Sequence, residues 1–151
     1  MKAKSPAAKQ ARAAARLAAV QALYQHEMEA TALARLLDEF HQHRLGMEID
    51  EDIYAKAETA FFDDLVTGTL ARRDEIDALI SGKLAEGWKL ERLDRTLLQI
   101  LRVGAYELLA RADVPTGAAI GEYVDVAHAF FEPREAKFVN GVLDAVARVV
   151  R

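Results

Sequence analysis

Glu91-Arg92-Leu93-Asp94-Arg95-Thr96-Leu97-Leu98-Gln99-Ile100-Leu101-Arg102-Val103-Gly104-Ala105-Tyr106-Glu107-Leu108-Leu109-Ala110-Arg111-Ala112 is the stretch that decides the fold class. Leu93, Leu97, Ile100, Leu101 and Leu108, with Tyr106, fall at helical spacing and line one side of an α-helix. The spacing predicts a helix over about 91–112, stopped by the turn Asp113-Val114-Pro115-Thr116-Gly117.

The same periodicity extends in both directions. A first helix is expected from Ser5-Pro6, a cap residue followed by proline at the first helical position, to about Glu29. A second carries Leu33, Leu36, Leu37 and Phe40 and stops near Gly46. The acidic run Glu48-Ile49-Asp50-Glu51-Asp52 enters a third, with Ile53, Ala57, Phe61, Leu65 and Leu70 inward. A fourth covers about 74–85 through Ile76, Leu79, Ile80 and Leu84, and Gly87-Trp88 breaks it. After the 91–112 helix, a sixth holds Ile120, Tyr123, Val124 and Ala127 as far as Pro133. A seventh places Phe138, Val142, Val146 and Val149 inward. The expectation is an all-α protein of about seven helices.

At 151 residues, 52% hydrophobic and 29% charged, the chain fits one globular domain rather than a disordered segment. No apolar run approaches the roughly 18 residues that span a bilayer. The N-terminus lacks the apolar core and cleavage site of a secretory signal. The absence of cysteine excludes disulfides and thiolate metal sites and fits the cytoplasm.

The net charge of −4 hides a polarised distribution. Lys2, Lys4, Lys9, Arg12 and Arg16 stand in residues 1–16, and all 24 acids come later. Lys9, Arg12 and Arg16 share one helical face, which continues as Val20, Leu23 and Tyr24. That pattern predicts a helix buried in its later turns and projecting cations to solvent in its first. Guanidinium groups pair bidentately with phosphate, so a polyanion suits this end; the alternative is a solvated helix terminus.

Five segments, in order, make the chain resemble the NusB family of bacterial transcription antitermination factors. They are Arg12 to Tyr24 (with Val20-Gln21-Ala22-Leu23-Tyr24), Leu93-Asp94-Arg95, Ala105-Tyr106-Glu107-Leu108, Asp113-Val114-Pro115, and Lys137-Phe138-Val139-Asn140-Gly141-Val142-Leu143-Asp144. The middle, about residues 30–90, matches mainly in helical pattern. The resemblance implies a single RNA-binding domain, 1–151, of two packed helical subdomains, about 5–72 and 73–151. It implies a factor without enzymatic activity or cofactor that pairs with NusE, a ribosomal small-subunit protein. The pair binds boxA-type single-stranded RNA in nascent ribosomal transcripts and supports processive transcription in the RNA polymerase antitermination complex.

Carried over by position, the resemblance implies RNA contact at Arg12 and Arg16, with Lys9 beside them on the same face. Gln21 joins the RNA-binding set, Lys137 contacts phosphate and Phe138 stacks on a base. Tyr24 and Asp94 face the protein partner. Where relatives carry a denser arginine run, this chain has Ala13-Ala14-Ala15, which implies heavier reliance on the NusE-like partner.

Each residue also has a structural reading. Phe138 and Tyr24 continue apolar faces and would pack in the core. Asn140-Gly141 fits a helix irregularity or a close helix contact, and Gly117 and Gly121 fit close packing or a relaxed turn. Residues 27–64 hold eleven acids against Arg35, Arg44 and Lys56, a solvated face or a dock for a basic protein. His41 and His43, two apart, point to different helix faces and make a weak metal pair. No HExxH, Walker A, GxGxxG after a strand, or GxSxG motif occurs. Two rival functions remain: a helical protein–protein adaptor, and the helical RNA-binding domain of a truncated ribosomal RNA methyltransferase. The oligomeric state is open, a homodimer that masks the basic end included.

Overall fold

The computed structural model describes residues 6–43 and 52–151. Among these residues the helices are α1 (Pro6–Glu29), α2 (Leu33–His43), α3 (Asp52–Ala71), α4 (Arg73–Ser81), α5 (Arg95–Ala110), α6 (Thr116–Phe130) and α7 (Pro133–Val150), with a 3₁₀ turn at Leu90–Arg92. The described residues are all-α, as expected. The expected cap Ser5, the stop at Gly46 and the acidic run 48–51 lie outside them. The chain divides into two compact units, Met1–Thr67 and Gly68–Arg151.

In the first unit, Ala11, Ala15, Ala18 and Ala22 form a fully buried stripe along α1, joined by Ala19, Val20 and Leu23. Side chains this small let a neighbour approach closely, so burial begins well before the apolar residues of the later turns. α2 buries Leu36 and Phe40, and the Phe40 ring stacks on Phe62 of α3 at 5.5 Å. His41 meets the edge of Phe62 at 6.0 Å, and its Nε2 lies 2.6 Å from Asp63 Oδ1. The link between α1 and α2 turns at Ala30, whose φ of 55° is left-handed. Gln25 closes the corner by donating to Glu39 at 3.1 Å.

In the second unit α5, α6 and α7 pack on one another, and α4 packs against α5. Tyr123, Leu98, Ile100, Leu101, Leu108, Leu143, Ile76 and Ile80 fill the core. Arg102 clasps Asp77 with two hydrogen bonds, at 2.8 and 2.9 Å, joining α5 to α4. The Arg151 guanidinium donates to the Leu108 and Arg111 carbonyls at 2.9 and 2.7 Å. It thereby satisfies acceptors that the last turn of α5 leaves open.

Several expectations need correction. α5 starts at Arg95, not Glu91, because the Asp94 side chain caps it, accepting from the backbone N–H of Thr96 and Leu97. α4 ends at Ser81, four residues short of Ala85. The buried face of α7 centres on Val139, Leu143 and Val146. At 3.6 residues per turn, Phe138 and Val149 then lie roughly 100° off that centre. Phe138 is accordingly half-buried and Val149 is 57% exposed. Close packing at the glycines does not hold: a Cβ at Gly117, Gly121 or Gly141 would meet open space, and α7 continues unbroken through Asn140-Gly141.

Candidate nucleic-acid interface

α1 brings two arginines onto one aromatic ring. The Cζ atoms of Arg12 and Arg16 lie 4.6 and 5.1 Å from the centroid of Phe61, which α3 supplies. Within about 6 Å of a ring centroid a guanidinium is attracted by the ring's quadrupole, more so away from water. Phe61 is 4% exposed, so its ring forms a buried platform.

The two arginines differ in exposure. Arg12 is half-buried, whereas Arg16 is 4% exposed and belongs to the interior of its unit. The expectation that the early turns of α1 project all their cations to solvent therefore fails at Arg16. The physical reason is the alanine stripe: Ala11 and Ala15 already pack, and Arg16 lies between that stripe and Val20 around the helix. Lys9, one turn earlier, is exposed. The face thus grades along the helix from an exposed cation, through a half-exposed one, to a buried one.

Beyond them Gln21 is half-buried and Tyr24 is 39% exposed. Met28, one turn past Tyr24, is 55% exposed and extends the same apolar strip. Its i+4 spacing from Tyr24 was the available signal for including it.

In the second unit, Lys137 stands exposed on α7 beside the half-buried Phe138. Arg134 and Glu135 precede them, paired at 3.1 Å. That hydrogen bond, helped by backbone N–H donors at the start of α7, holds the Glu135 carboxyl below its usual range. Asp94 is exposed but spends one carboxylate oxygen on capping α5. His41 is engaged with Asp63, and the side chain of His43 lies outside the described residues.

These features define a small all-helical protein whose first helix presents a graded basic face. Over residues 13–148 the sequence matches the NusB family, and the chain belongs to that family. It is 74% identical over 141 residues to the transcription antitermination protein NusB of Novosphingobium aromaticivorans, covering 93% of this chain and 95% of that protein. To the protein of the same name from Sphingopyxis alaskensis it is 65% identical over 142 residues, covering 94% and 95%. Among solved structures, T. maritima NusB is 32% identical, with a TM-score of 0.75 over 97% of this chain and 93% of that one. The fold is also that of NusB in a structure of the antitermination factors NusB and NusE in complex with dsRNA. There the TM-score is 0.76 at 24% identity, over 93% and 98% of the two chains.

Proposed function

We propose that this chain is a transcription antitermination factor that binds RNA together with a NusE-like ribosomal small-subunit protein. The pair takes boxA-type single-stranded RNA in nascent ribosomal transcripts and joins the RNA polymerase antitermination complex. The observation that carries this reading is the 74% identity, over 93% of the chain, to a protein that bears that function in its name. The chain acts by binding alone, without a cofactor or a catalytic group.

The roles divide between the two units. Lys9 and Arg12 offer charge to phosphates from α1, with Gln21 further along the helix. Lys137 adds a phosphate contact on α7, and the half-buried Phe138 stacks on a base. Tyr24 and Asp94 face the protein partner, Asp94 while capping α5. The factor works in the cytoplasm, where transcripts emerge; no helix among the described residues is long and apolar enough to cross a membrane.

Reconstituted transcription tests the reading. A template carrying a boxA element ahead of a terminator should show increased read-through only when this chain and its NusE-like partner are both present. Read-through that ignores the chain, or ignores the boxA element, would overturn it.

A further inference from the structure

The seating of two guanidinium groups on one buried ring assigns different tasks to residues that share a helix face. We propose that Phe61 is the positioning residue of the RNA-binding face: its ring orients the half-exposed Arg12 toward phosphate, while Arg16 locks the platform and takes no phosphate itself. The inference rests on the RNA-binding reading above.

The geometry carries the division. Both Cζ atoms lie within 5.1 Å of the Phe61 centroid, yet Arg16 is 4% exposed and Arg12 is half-exposed. A phosphate needs access to the guanidinium edge for bidentate pairing, and a side chain so withdrawn presents none. A guanidinium stacked on a ring has its plane held. Arg12 on Phe61 therefore meets phosphate with less rotamer freedom left to lose than a solvated arginine has. Lys9, exposed one turn earlier, supplies charge without such orientation.

The test measures affinity for a boxA-type RNA oligonucleotide across a series of salt concentrations, with the NusE-like partner present. Wild type is compared with Arg12→Ala, Arg16→Ala, Phe61→Leu and Phe61→Tyr, and each variant is also melted. Each phosphate contact on a single strand contributes about 0.7 to the slope of log affinity against log salt. Arg12→Ala should lose about that much slope with little change in melting temperature. Arg16→Ala should keep the wild-type slope and melt several degrees lower. Phe61→Leu, which keeps an apolar side chain but removes the ring, should bind roughly three- to tenfold more weakly, and Phe61→Tyr should restore binding.

Equal slope losses in Arg12→Ala and Arg16→Ala would overturn the division of tasks. A folded Phe61→Leu with wild-type affinity would overturn the positioning role. Should Phe61→Leu fail to fold, the two arginine slopes still decide. Wild type that binds no RNA in the partner's presence rejects the functional reading itself, and the Phe61 role with it.

Discussion

The Tyr123 hydroxyl donates a 2.7 Å hydrogen bond to Glu107 Oε1, and both residues are fully withdrawn from solvent. The bond ties α6 to α5 at the centre of the second unit. It lets a carboxyl group and a phenol sit among leucines, where a polar atom lacking its partner is costly. Tyr123→Phe keeps the ring and removes the donor, so it should destabilise by about 1–3 kcal/mol. Thermal unfolding by circular dichroism reads this, with RNA affinity of the folded variant unchanged.

Asp94 separates a structural role from a partner role. Serine at this position keeps an N-cap acceptor and discards the charge, whereas alanine discards both. Asp94→Ala should cost about 1 kcal/mol of stability, and Asp94→Ser only a fraction of that. If Asp94 also faces the NusE-like partner through its charge, both variants should weaken partner binding alike in calorimetric titration. Wild-type affinity in Asp94→Ser would leave only the cap.

Two glycines should respond to alanine in opposite senses. A Cβ on Gly68 would stand 2.1 Å from Cζ of the buried Tyr106, so Gly68→Ala should destabilise by about 3 kcal/mol through overpacking. A Cβ on Gly121 meets nothing within 4 Å, so Gly121→Ala should stabilise α6 by roughly 0.5–1 kcal/mol. Chemical denaturation of the two variants side by side checks both signs.

Ala30 holds a φ of 55° at the end of α1, a conformation that crowds any Cβ. Glycine relieves that crowding at a helix C-terminus, so Ala30→Gly should raise stability by about 0.5–1 kcal/mol. A lower denaturation midpoint would contradict this account of the corner.

Much of this molecule was legible in the sequence, and the exceptions have physical causes. α2 was plain because Leu33, Leu36, Leu37 and Phe40 make a strong stripe, and Leu36 and Phe40 are the buried pair. The start of α5 was misplaced because Leu93 continues the apolar period past the cap that Asp94 supplies. On α7 the inward Val142 and Val146 were read correctly, but Phe138 and Val149 were placed on a face that centres instead on Val139, Leu143 and Val146. The basic stripe of Lys9, Arg12 and Arg16 was visible, but its gradation in exposure was not. Arg16 is buried beside the packed Ala11 and Ala15 and against a ring 45 positions further along the chain, and ring–cation pairing leaves no local signature. The roles of Lys137 and Phe138 came from family resemblance, since their local pattern also suits a helix that packs.

The central claim is selective RNA recognition through the basic face of α1, aided by a partner. Fluorescence anisotropy tests it most directly, using a short boxA-type RNA and its scrambled counterpart, titrated with the protein alone and with its NusE-like partner at two salt concentrations. The account predicts preference for the boxA sequence, tightening when the partner is added and weakening as salt rises. Equal binding of both RNAs in both conditions, or none, would contradict it and move the function to a protein-only adaptor.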